Sequence, residues 1–250
     1  MSADPIVITA AVRTPMGGMQ GIFSALTASQ LGAIAIRAAV ERGGVAPADV
    51  NEVLMGCVLP AGQGQAPARQ AVRGAGLPDS AGATTINKVC GSGMKTIMLA
   101  NDLISAGSAD IVVAGGMESM TNAPYLLPKA RGGYRFGHGE ILDHMALDGL
   151  EDAYEKRTAM GVFAERCVER YSFTREQQDA FALASLARAK LANEDGSFAA
   201  EIVPVEIAGK KGTELISRDE APFKAMPDKI PGLKPAFKKD GTITAANASS

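Results

Sequence analysis

The chain has 250 residues, 46% hydrophobic and 5% aromatic, with 28 glycines and no tryptophan, enough apolar material for one large α/β domain or two modest ones. Its 25 basic and 27 acidic side chains leave a net charge of −2, without the basic surplus that nucleic-acid or membrane-surface binding requires. No run is long and apolar enough to span a bilayer. Cys57, Cys90 and Cys167 are widely spaced and lack metal-ligand spacing; they suit a reducing, cytoplasmic setting with no metal. The apolar run Ile6-Val7-Ile8 follows Met1 so closely that no leader segment is expected.

In chain order, residues 5–12 read as a buried strand and 26–42 as a helix closed by Gly43-Gly44. A strand at 50–59, a short helix at 66–74 and a strand at 83–89 follow. Behind them comes a helix at 92–106, with Met94, Ile97, Met98, Leu99 and Ile104 as its expected buried stripe. A strand at 109–114 runs into Gly115-Gly116. This alternation predicts a mostly parallel sheet covered on both faces. The pattern then breaks: residues 121–149 hold Pro124, Pro128, Gly132, Gly133, Gly137, Gly139 and both histidines, His138 and His144, in a long excursion. Helices are expected at 158–171 and 175–193, the second opened by a capping box of Thr174 with Gln177. Short strands and proline-interrupted loops follow from residue 202.

The segment Ile86-Asn87-Lys88-Val89-Cys90-Gly91-Ser92-Gly93-Met94 places a thiol where a strand turns into a helix. The first amides and the positive dipole end of that helix favour thiolate over thiol. Gly91 and Gly93 remove side chains that would crowd the sulfur. Such a thiolate suits carriage of an acyl group as a thioester, although spacing alone leaves a small buried hydrophobe open as the other reading. Cys57, inside an apolar run, reads as core and Cys167 as a surface or half-buried thiol. Gly62 to Gly64 reads as a turn feeding a helix. Met117, Met120, Met145 and Met160 read as packing or as the wall of an acyl slot. The pairs Lys210-Lys211 and Lys238-Lys239 read as solvated faces or phosphate contacts.

Several motifs carry a resemblance to the thiolase family. They are Arg13-Thr14-Pro15 with Gly17-Gly18, the run from Gly62 to Gln70, the nucleophile segment from Asn87 to Lys95, Gly115-Gly116-Met117-Glu118-Ser119-Met120, and Ala245-Ala246-Asn247-Ala248-Ser249. The resemblance implies a thiolase-like α/β fold, in which a βαβαβ core half carries an inserted, mainly helical loop domain. It implies a core domain at residues 1–120, a loop domain at 121–246 that grips CoA and joins dimers into tetramers, and a return to the core at 247–250. The implied activity is that of an acetyl-CoA C-acetyltransferase, forming or cleaving 3-ketoacyl-CoA such as acetoacetyl-CoA through an acyl-cysteine on Cys90. The amide of Cys90 would then be one donor to the thioester oxyanion. Leu150, Met160, Phe237, Ala245 and Ser249 fall on positions lining the CoA path, and Lys224 takes the place of a nucleotide-binding arginine. Acyl-CoA and CoA are the implied partners, with no permanently bound cofactor and a homodimer or homotetramer as the assembly.

Against that pattern, Ala159 stands where many members have a histidine. The family's second half, with its Asn-Glu-Ala-Phe, His-Pro-x-Gly and Cys-x-Gly-Gly motifs, has no counterpart in this sequence. A catalytically silent N-terminal fragment that only binds CoA or assembles is therefore the alternative expectation. The resemblance also implies a sheet with an unpaired edge and exposed apolar surface.

Overall fold

The structure, a computed structural model, describes residues 5–209 and 212–249. Its contacts group into two units, one comprising the residues up to Met145 with Ala200–Arg218, the other Ala146–Ala199 with the residues from Asp219 onward.

In the first unit, helix α1 (Ala28–Arg42) opens on a capping box. Thr27 Oγ1 accepts the Gln30 amide, and Gln30 Oε1 accepts the Thr27 amide. Ala28, Ala33, Ile36 and Val40 bury one side of α1 against Ala68, Ala71, Val72 and Ala75 of α2 (Pro67–Ala75). Strands β1 (Glu52–Gly56), β2 (Gly82–Ile86) and β3 (Val112–Gly116) form a parallel sheet in the order β2-β1-β3. Gly56 stands opposite both Ile86 and Gly116, so the three carboxyl ends lie side by side.

Side chains alternate between the faces of a strand. Val53 and Met55 join the α1–α2 cluster. Gly56 meets the first turn of α3 (Ser92–Ser105) instead: a Cβ there would stand 2.8 Å from the Gly93 nitrogen and the Ser92 carbonyl carbon. Helices thus cover both faces, as the alternation predicts.

The excursion holds two short antiparallel strands, β4 (Tyr125–Leu126) and β5 (Leu142–Asp143). A second antiparallel pair, β6 (Val205–Gly209) and β7 (Gly212–Ile216), buries Val205 and Ile216 with Phe23. Arg13 binds this return segment. Its amide donates to the Glu201 carbonyl, its own carbonyl accepts the Val203 amide, and its guanidinium meets the Glu201 carboxylate at 2.6 Å. The second unit contains α4 (Met160–Tyr171), α5 (Arg175–Glu194) and the four-residue α6 (Ala221–Lys224). Thr174 and Gln177 form the expected capping box on α5.

Two expectations are corrected. Residues 5–12 form no strand; among the described residues the segment is tied in at its end, where Arg13 bridges Ile202. Val7 and Ile8 are 67% and 78% exposed, because apolar composition alone makes no ladder without a neighbouring edge to accept it. The buried side of α3 is also not the expected stripe. Ser92, Thr96 and Ala100 are buried, whereas Met94, Ile97 and Met98 are exposed. The close approach at Gly56 admits only the small-residue side of the helix. Uncovered apolar side chains of this kind drive association, so size-exclusion elution that moves to larger species with rising concentration is expected. A sharp monomer peak at every concentration would contradict it.

Candidate active site

Five residues, Asn87 to Gly91, link β2 to α3 and carry Cys90 at the carboxyl edge of the sheet. In parallel α/β sheets this edge is where ligands bind. Cys90 is exposed. Gly91 caps α3 without a side-chain hydrogen bond, so the helix's first amides lie beside the cysteine.

The residue before it, Val89, has φ of +47°. A β-branched residue in the left-handed region is an outlier that costs about 1–3 kcal/mol and survives only where its surroundings enforce it. Here Asn87 Oδ1 accepts the Val89 amide at 2.9 Å, and the Val89 carbonyl accepts the Ser92 hydroxyl at 2.5 Å. Ser92 Oγ also accepts the Lys88 amide at 2.8 Å. Behind the turn, the Thr96 hydroxyl lies 2.7 Å from the Gly93 carbonyl and 3.0 Å from that of Gly115, tying α3 to β3.

Beneath this edge, Glu118 accepts the amides of Val58 at 2.8 Å and Leu59 at 3.1 Å, and the Cys57 thiol at 3.5 Å. Cys57 is buried, as its apolar run implied. Burial, reinforced by the Glu118 charge, pushes its pKa from 9.0 up to about 11. Because the folded value is raised, the stability held by the neutral thiol is complete below pH 9.0 and lost as pH rises toward about 11. Urea midpoints should therefore fall over that window in the wild type, with a shallower fall in Cys57→Ala.

In the second unit, a wide π-type turn at Ala146–Leu150 leads to an antiparallel bridge between Glu151 and Ala159. Leu150 and Met160 flank that bridge. The next residue, Gly161, packs against the Phe237 ring with no room for a Cβ. Leu150, Met160 and Phe237 thus gather around the start of α4, all exposed.

Ala245 and Ser249 lie exposed on the segment that follows Phe237. Buried carboxylates brace it. Glu165, on α4, accepts the amides of Thr242 at 2.9 Å and Ile243 at 2.8 Å. Asp179, on α5, accepts Asn247 Nδ2 at 2.9 Å and pairs with Arg175 at 2.7 Å. Lys224, at the end of α6, pairs with Glu220. Lys238 pairs with Glu169, while Lys210 and Lys211 lie outside the described residues. A cleft of about 540 Å³ between α4 and α5, lined by Cys167, Phe173, Phe181 and Ile243 among others, takes in none of the residues expected to touch CoA.

Sequence reasoning quoted Asn87, Ser92 and Glu118 within motifs but gave them no task, and passed over Glu165. An asparagine two residues before a turn position is a readable Asx-turn signal. The positive φ of Val89 has no signal in residue type. Among the described residues no cluster of three His, Cys, Asp or Glu could hold a metal, and no helix is long and apolar enough to cross a membrane.

The pattern described as "Thiolase, N-terminal domain" matches residues 6–250. An acetyl-CoA acetyltransferase of Schizosaccharomyces pombe is 49% identical over 247 residues, covering 98% of this chain and 62% of that protein. Acetyl-CoA acetyltransferase 2 of Arabidopsis thaliana is 50% identical over 248 residues, covering 98% and 61%. The crystal structure of Acat5 thiolase from Ascaris suum in complex with coenzyme A superposes with a TM-score of 0.89 at 41% identity, over 96% of this chain and 61% of that one. The chain spans about 62% of the first of these relatives. With the pattern matched nearly end to end and the parallel sheet carrying its cysteine at the expected turn, this chain belongs to the thiolase family and has its α/β fold.

Proposed function

We propose that this chain is the nucleophile-bearing part of a thiolase that makes or cleaves 3-ketoacyl-CoA, with Cys90 as the acyl carrier. The observation that carries the reading is an exposed cysteine on a tightly bonded turn, at the mouth of an uncapped helix and the carboxyl edge of a parallel sheet. Relatives at about 50% identity named acetyl-CoA acetyltransferase support the same chemistry.

The Cys90 thiolate adds to the thioester carbon of acetyl-CoA, and the carbonyl electron pair moves onto oxygen, facing the Cys90 amide. That pair returns as the carbon–sulfur bond to CoA breaks, and the CoA sulfur takes up a proton. In the condensing direction, a second acyl-CoA gives its α-proton to a base, and its α-carbon attacks the acyl group on Cys90. The cysteine is released and 3-ketoacyl-CoA forms; thiolysis runs the steps backwards. The resemblance assigns the base to motifs that these residues do not contain, so condensation calls for groups from outside this sequence. No resident cofactor enters the scheme.

The segment around Leu150, Met160, Phe237, Ala245 and Ser249 is the proposed CoA surface, with Lys224 facing the nucleotide phosphates. Residues 1–120 act as the core, 121–246 as the loop domain and 247–250 as the return. The β4–β5 excursion, with Tyr125, Leu127, Phe136 and Ile141 exposed, is the proposed contact between copies in a homodimer or homotetramer. A cytoplasmic location fits the three unpaired cysteines.

Incubation with acetyl-CoA followed by peptide mapping tests the reading. An acetyl group on the peptide containing Cys90, absent in Cys90→Ala, is expected. Acetylation elsewhere, or none, would overturn it. A second reading is a silent CoA-binding piece, since the base motifs that the resemblance assigns are not among these residues. Acetoacetyl-CoA thiolysis by this chain alone would exclude that alternative.

A further inference from the structure

We propose that Glu118 and Asn87 are positioning residues for Cys90, acting through the strained Val89 turn; the inference rests on the thiolase reading of Cys90. Three linked observations lead to it. First, Glu118 binds the consecutive amides of Val58 and Leu59, fixing the chain just past the end of β1. Besides the Cys57 thiol, this carboxylate accepts only these backbone amides among its described hydrogen bonds. Second, the Val58 carbonyl so oriented accepts the Asn87 side-chain amide at 3.5 Å. Third, the other end of that amide, Oδ1, accepts the Val89 amide at 2.9 Å. Asn87 therefore uses both ends of its side chain, one on the loop that Glu118 anchors and one on the residue before the nucleophile.

The need for this arrangement is visible in the backbone. Val89 at φ +47° would relax to a negative φ if left alone, and relaxation would swing Cys90 away from the first turn of α3. The far side of the turn is fixed independently. Gly56, Gly93 and Gly116 bring α3 onto the sheet so closely that its first turn cannot move further toward it. With the helix fixed, the orientation of the sulfur depends on the turn, and the turn depends on Asn87. Glu118 lies outside the turn, at the start of the excursion after β3, so the relay joins the ends of all three strands to one side chain.

The chain carries its own references for a test. Cys90 and Cys167 are both exposed, in different units, and Cys57 is buried. Brief treatment with iodoacetamide and peptide mapping gives the ratio of Cys90 to Cys167 modification in one sample, while Cys57 modification reports unfolding. Asn87→Ala and Glu118→Ala should each lower the Cys90:Cys167 ratio about tenfold, equivalent to ~1.4 kcal/mol. Asn87→Asp, which keeps the acceptor for the Val89 amide but gives up the donor to the Val58 carbonyl, should recover the ratio only in part, to about threefold below wild type. Val89→Gly should rescue Asn87→Ala to a similar extent, because glycine adopts positive φ without help. A merely structural role for Asn87 predicts no such rescue.

A ratio unchanged in Asn87→Ala, or a loss that neither the Asn87→Asp exchange nor the added Val89→Gly recovers, overturns the proposal. Should Glu118→Ala expose Cys57, Glu118→Gln, which gives up one of the two acceptor oxygens, decides the point. A lowered ratio with Cys57 still protected is expected, and a ratio equal to wild type removes Glu118 from the relay. Acetyl transfer from acetyl-CoA is measured in parallel. Its failure in the wild type, with the iodoacetamide pattern as expected, would refute the thiolase reading and leave the positioning role standing.

Discussion

Glu165→Ala is expected to lower the unfolding free energy of the second unit by about 3 kcal/mol, the largest single effect foreseen in that unit. The carboxylate is 4% exposed and receives two consecutive backbone amides, from Thr242 and Ile243. Charge-assisted hydrogen bonds of this kind contribute roughly 1.5–3 kcal/mol each. Alanine would leave the buried Ile243 amide and the half-buried Thr242 amide without that acceptor and open a void beside Gly241, where Glu165 occupies the space a Cβ would need. Glu165→Gln keeps one acceptor oxygen and should lose about half as much. Urea unfolding checks the magnitude, and hydrogen exchange checks the location: the Thr242 and Ile243 amides should exchange faster in the alanine variant. On the proposal that Ala245 and Ser249 belong to the CoA surface, CoA affinity should fall with it, since both ride on the same segment. Unaltered exchange at those amides would show that the segment is held by something else.

Gly56→Ala is the second large effect, about 2–3 kcal/mol, for the opposite reason. Here the added methyl has no space. It would stand 2.8 Å from the Gly93 nitrogen, the Ser92 carbonyl carbon and Ser92 Cβ. Two of these are backbone atoms of a helix whose first turn cannot rotate out of the way, so α3 itself must shift. On the proposed role of Cys90, acyl transfer to it should therefore drop together with stability. Gly132→Ala serves as the control, because nothing lies within 4 Å of its Cβ position; a change under about 0.5 kcal/mol is expected there.

Much of the first unit was legible because the governing signals are local. The apolar run along β1 and the glycines that end α1 and β3, like the cap at Thr174 in the second unit, act within a few residues of where they are written. The position of Cys90 between β2 and α3 was legible for the same reason. The misreadings were of another kind. Residues 5–12 have the composition of a strand, yet a strand is a pairing, and pairing depends on a partner's position. The side of α3 that faces the sheet was misjudged because hydrophobicity ranked Met94, Ile97 and Met98 above Ser92, Thr96 and Ala100. Contact distance inverted that order: where backbones approach through Gly56 and Gly116, small side chains fit and large ones do not. At the Val89 turn only the Asx signal of Asn87 is local; the positive φ of Val89 and the tie from Asn87 to the Val58 carbonyl, 29 residues away in sequence, are not announced by residue type.

The order of segments in the first unit has a consequence for biosynthesis. Its small apolar cluster combines Phe23 with Val205 and Ile216, the Arg42 guanidinium donates to the carbonyls of Ala200 and Ile202, and that of Arg13 pairs with the Glu201 carboxylate. A ribosome emitting the chain from its N-terminus delivers α4 and α5 before these closing contacts exist. Phe23 and its neighbours must therefore wait, uncovered, through the synthesis of an entire helical insertion. Chaperone capture of nascent chains is expected to persist until β7 has left the exit tunnel, and to end soon after.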